Sequence, residues 1–85
     1  MIVPIVNLNG TSREELKEQF LEANRKAGEL LKALAYAMPH GRDYQTAKDP
    51  MAFSQAAKEH TARLEAVRQI QNEMMHLAMA VEEGQ

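Results

Sequence analysis

The chain has 85 residues, 26% of them charged, a formal net charge of −2 and no cysteine. That length makes one domain, and the missing cysteines exclude disulfides and thiolate metal sites. Near-neutral charge, with Lys and Arg spread along the chain, lacks the basic stripe of a DNA- or RNA-binding surface.

Residues 1–10 read as an extended apolar arm. Ile2, Val3, Ile5, Val6 and Leu8 favour extended backbone, and Pro4 keeps the segment at an edge or in an irregular path. The arm is too short, and lacks the basic flank, for a secretory signal. Its five apolar side chains are expected to pack on a helix of this chain or of a neighbour. No stretch approaches the ~20 apolar residues of a membrane span. The expected location is the cytoplasm.

Residues 11–85 read as an antiparallel helical hairpin: a first helix over about 12–38, a loop at 39–49 and a second helix over about 50–83. Thr11 with Glu14, and Ser12 with Glu15, form overlapping capping boxes at the first start. Leu16, Phe20, Ala23, Ala27, Leu30 and Leu34 follow alternating steps of four and three, the seam of a packed helix. Leu31 and Ala35 widen that stripe. Ala23, Ala27 and Gly28 leave room for a close backbone approach. In the second helix Asp49 suits the cap and Pro50 the first helical position. Phe53, His60, Val67, Met74 and Val81 recur every seven residues, and Gly84 stops the helix.

At ~1.5 Å per residue the two helices would span about 40 and 50 Å. The methionine-rich end of the second, from Met74 to Val81, is therefore expected to overhang or to meet the arm. Two helices cannot enclose stripes this wide. Self-association into a helical bundle follows, as a dimeric four-helix bundle or a higher oligomer.

The loop concentrates His40, Arg42, Tyr44 and Lys48 beside a new helix start. Arg42 offers a planar fork of donors for phosphate or carboxylate, and Tyr44 a face on which a ring can stack. The alternative is a plain connection, with Arg42 paired to an acid and Tyr44 covering the end of the bundle. A second candidate group, Asn9, Thr11 and Arg13 at the first helix start, lies at the opposite end of such a hairpin. The two groups could meet only across subunits.

His60 reads as a core histidine. Glu73 and His76 have a metal-ligand spacing, but His76 turns some 200° from the seam at ~100° per residue, so no metal or other cofactor is expected. No nucleophile–base pair or convergent carboxylate pair stands out. The chain is not expected to be an enzyme.

The order of motifs, Asn7-Leu8-Asn9-Gly10-Thr11-Ser12, a long helix, His40-Gly41-Arg42-Asp43-Tyr44, then a helix introduced by Asp49-Pro50, resembles small helical proteins of tailed bacteriophages and prophages. Its size and architecture are also similar to viral sponge proteins that sequester nucleotide signals of bacterial immunity. The resemblance implies a non-enzymatic accessory protein of an infected or lysogenic bacterium, oligomeric and binding a small nucleotide-like anion. The alternative is a protein-interaction module, either a virion or packaging component or an inhibitor docking on a host protein.

Overall fold

The computed structural model describes residues 1–84; Gln85, the last residue of the expected hairpin unit, lies outside the described residues. Two long helices, α1 (Arg13–Tyr36) and α2 (Ala52–Glu82), pack antiparallel. A single 3-10 turn, Gly41–Tyr44, sits between them. The result is a rod of 61 × 20 × 18 Å.

Local chemistry sets the helix ends. The Ser12 hydroxyl accepts from the Glu15 N–H at 3.1 Å, so the second of the two overlapping boxes supplies the cap. Glu14 and Glu15 then place negative charge at the positive end of the helix dipole. At the other end the Ala37 N–H is shared between the Ala33 and Leu34 carbonyls, both at 3.1 Å. α1 stops two residues short of the expected Met38, because the residue before a proline, here Pro39, is pushed out of helical geometry.

α2 also begins two residues late. The Asp49 carboxylate accepts from the Met51 N–H at 2.9 Å, and the Asp49 carbonyl from the Ala52 N–H at 3.1 Å. These bonds close a turn over Asp49, Pro50 and Met51 before the helix proper. The far end stops as the sequence indicates: Gly84 takes a left-handed φ of 87° and its N–H reaches the Val81 carbonyl at 3.2 Å.

The seam of α2 runs through Ala57, His60, Leu64, Val67, Gln71, Met74, Ala78 and Val81, all buried or half-buried. It contains His60, Val67, Met74 and Val81 of the seven-residue line, whereas Phe53, 42% exposed, lies outside it and meets Tyr44. The seam of α1 is rotated from its expected position. It runs through Arg13, Lys17, Phe20, Asn24, Ala27, Leu31 and Leu34, while Ala23 and Leu30 are exposed. The competing stripes share Phe20, Ala27 and Leu34, and cross-helix contacts favour the more polar one. Asn24 Nδ2 donates to the Gln71 carbonyl at 2.8 Å, and Lys17 Nζ lies 3.3 Å from a Glu82 carboxylate oxygen. Gly28 brings α1 close to the Gln71 side chain, whose amide nitrogen would lie 3.0 Å from a Cβ at that position.

These contacts also set the register. The Lys17–Glu82 pair puts the C-terminal end of α2 level with the first turns of α1. The Leu34–His60 hydrogen bond puts the end of α1 opposite the third turn of α2. The extra length of α2 therefore projects at its N-terminal end, not at the methionine-rich end, which was expected to overhang or to meet the arm. Leu77, Ala78 and Val81 are instead among the most buried residues. The 3-10 turn occupies the projecting end, with the Tyr44 ring 6.0 Å from that of Phe53.

Candidate functional site

The loop group sits on the projecting end of α2. Tyr44 is half-buried and tilted 45° against Phe53, and a Cβ at Gly41 would touch the same ring at 4.0 Å. Tyr44 thus covers the helix end, with part of its ring already committed to packing. His40, Arg42 and Lys48 are exposed. Among the described residues Arg42 and Lys48 form no ion pair, and Asp43 is not drawn onto Arg42. The Asp49 carboxylate, bonded to the Met51 N–H, already serves the start of α2. The group is a polar, cation-rich surface and lines neither of the two clefts described next.

Asn9, Thr11 and Arg13 gather less closely. An Asn7-centred turn shapes this corner: Asn7 Oδ1 accepts from the Asn9 N–H at 3.0 Å, and the Asn7 carbonyl accepts from the Gly10 N–H at 3.2 Å. Such side-chain-to-backbone bonding is what asparagine contributes to turns. Arg13 lines an open cleft with Val6, Asn7, Leu8, Gly10, Ser12 and Glu14, whereas Asn9 and Thr11 are exposed outside its lining. The Arg13 guanidinium also reaches the end of α2, with Nη2 4.0 Å from where a Cβ of Gly84 would stand. Its Nε is buried without a hydrogen-bond partner. The loop group and the Arg13 group lie at opposite ends of the rod.

Two apolar surfaces flank the seam. Leu16, Ala23 and Leu30 each precede a seam residue of α1 by one position; Ala56, Ile70 and Leu77 do the same on α2. Because the helices are antiparallel, residues so placed fall on the same side of the hairpin. Leu77 is covered, but Leu30 and Ile70 remain 50% and 51% exposed near mid-length. On the opposite side, residues that follow a seam position come together. There Leu21, Met75 and Glu82, with Lys17, Ala78, Met79 and Glu83, line a largely apolar groove of about 240 Å³. Sequence reasoning missed both surfaces as sites. Periodicity gave no signal for the first of them, since the line through Leu16, Ala23 and Leu30 reads as the seam itself.

Charge elsewhere is local. On the outer face of α1, Arg25 reaches Glu22 at 2.8 Å and Glu29 at 2.6 Å. The hydrogen bond from Arg25 holds the Glu22 carboxyl below its usual range, and the same bond raises the Arg25 guanidinium. Both are well exposed, so the pair adds little to stability. His76 is exposed on the outer side of α2.

No family model matches this chain, and no curated protein or solved structure is significantly similar to it.

Proposed function

We propose that this chain is a non-enzymatic interaction protein that works as a self-assembled helical bundle. One observation carries the reading. Leu30 and Ile70 stand half-exposed on the same side of a hairpin whose buried apolar residues, among those described, are only Ala27, Val67, Leu77, Ala78 and Val81. A core that small supports little stability in a single chain, and oligomerisation is a usual remedy for chains of this size. Leu16, Ala23 and Leu30 with Ile70 form a face that a second hairpin could cover, giving a four-helix bundle with two-fold symmetry. Native mass spectrometry of protein purified from cells tests this. An oligomer is expected; a monomer at micromolar concentration overturns it.

A second reading assigns the assembled protein a small anionic ligand, such as a nucleotide signal sequestered during phage infection. It is supported by the exposed, unpaired Arg42 and Lys48 beside His40, with Tyr44 as a ring surface. The Asn9, Thr11 and Arg13 group of another subunit would complete the site, since one chain keeps the two ends apart. Sequestration needs no catalytic group. Calorimetric titration with cyclic dinucleotides and ADP-ribose derivatives tests it, and absence of binding by every one removes this reading while leaving assembly standing.

A further inference from the structure

We propose that the arm of a second copy, residues 2–8, docks in the groove formed by Leu21, Met75, Ala78 and Met79; this rests on the reading of the chain as self-associating. The arm has two unlike sides. Val3, Pro4 and Val6 are half-buried, whereas Ile2, Ile5 and Leu8 are 93%, 79% and 103% exposed. Ile2 and Ile5, in the extended stretch before the Asn7 turn, stand three residues apart, the repeat of a polyproline-type strand, and Pro4 fixes the φ such a strand requires. At ~3.1 Å per residue, successive exposed side chains stand about 9 Å apart along one edge.

The groove matches that edge in length and chemistry. From Met75 to Glu82 the rise along α2 is about 10 Å at ~1.5 Å per residue, room for two successive arm side chains. Its floor is apolar, and Met75 and Met79 are unbranched side chains that adapt to an incoming branched one. No residue from Met1 to Ser12 carries a charged side chain, so the arm brings no side-chain charge to an apolar floor. The rim suits a backbone. Among the described residues the N–H groups of Ile2, Val3, Ile5 and Val6 make no hydrogen bond, and the Glu83 carboxylate, which forms no ion pair, stands at the groove edge as an acceptor.

The chain's own arm does not fill its own groove. The groove is lined by helix and helix-end residues alone, while Val6 and Leu8 line the separate cleft beside Ser12 and Arg13. The Asn7 turn holds the arm on that course. A second copy supplies both an arm and a groove, so a two-fold exchange satisfies both chains at once, and because the groove lies on the side opposite Leu30 and Ile70 it makes an interface separate from that face.

The absence of native cysteine makes the test direct. Ile5→Cys and Met79→Cys are placed on separate chains, mixed and oxidised, with Ile5→Cys plus Ser54→Cys at the far end of α2 as the control. Docking in trans predicts a disulfide-linked heterodimer in the first mixture well above the control. It also predicts that the chain carrying both substitutions forms linked dimers. A bridged monomer from that double variant, or linkage no greater than the control, overturns the proposal. Sedimentation of the reduced samples separates the two levels. An oligomer without linkage rejects arm docking and leaves self-association intact; a monomer rejects both.

Discussion

His60 on α2 donates from Nε2 to the carbonyl of Leu34, in the last turn of α1, and accepts at Nδ1 from the Arg63 guanidinium, 3.2 Å away. This places the imidazole across the seam as a cap supplied by the partner helix. α1 has no basic residue in its last turn and no glycine directly after it, so the Leu34 carbonyl, which already accepts from the Ala37 N–H, takes its second bond from α2. A polar residue on an otherwise apolar seven-residue line is thereby accounted for.

His60→Leu should lower stability even though it adds an apolar side chain to the seam. The Leu34 carbonyl would keep only its 3.1 Å bond from the Ala37 N–H, so the loss should be about 1 kcal/mol, the low end for an under-satisfied buried group. Urea unfolding of the two proteins gives the difference. Amide exchange should rise first at the end of α1. Equal or greater stability would mean that the cap contributes nothing.

Ala27→Leu and Gly28→Ala should have opposite effects despite being adjacent. Ala27 is buried on the seam, so a larger side chain should cost typically about 1–3 kcal/mol. A methyl at Gly28 would meet only the flexible end of Gln71, at 3.0 Å, and alanine gains about 1 kcal/mol over glycine in a helix interior. Thermal melts should therefore fall for the first variant and hold or rise for the second. A loss at Gly28→Ala would show that the helices cannot give the few tenths of an ångström required.

Tyr44→Ala and Arg42→Ala separate packing from binding in the loop. The Tyr44 ring rests on Phe53, so its removal should lower the melting temperature, with about 0.5–1.5 kcal/mol attributable to the ring pair beyond area burial. Arg42 is exposed and, among the described residues, forms no ion pair, so its removal should leave melting unchanged. If the loop holds an anion, Arg42→Ala should weaken that binding by about 1.5–3 kcal/mol, the loss of a charge-assisted contact. Unchanged affinity would make the loop a connection.

The all-α hairpin, the seam line of α2 and the stop at Gly84 were legible because each rests on local chemistry or on a strict period. The face of α1 was not. Phe20, Ala27 and Leu34 belong equally to two lines one position apart, and periodicity favours the apolar one through Leu16, Ala23 and Leu30 over the more polar one that meets α2. The choice depends on Asn24 reaching the Gln71 carbonyl and Lys17 reaching Glu82, contacts separated by 47 and 65 residues in sequence. Similarly, the sequence offered Tyr44 as a cover for the end of the bundle but not Phe53 as the ring it meets, because the projecting end of α2 exists only once the helix register is set. The exposed loop cations were legible as residue types, and their separation from Arg13 was legible from the antiparallel hairpin itself.

The line of Leu16, Ala23 and Leu30 facing outward beside Ile70 is the centre of the assembly reading, and sedimentation velocity of the wild type beside Leu30→Lys and Ile70→Lys tests it most directly. The wild type should sediment as an oligomer at micromolar concentration, and each lysine substitution should shift it toward the monomer, since both positions lie outside the intrachain seam. A wild type that sediments as a single chain of 9.6 kDa and melts cooperatively would contradict the account, as would lysine variants that assemble unchanged.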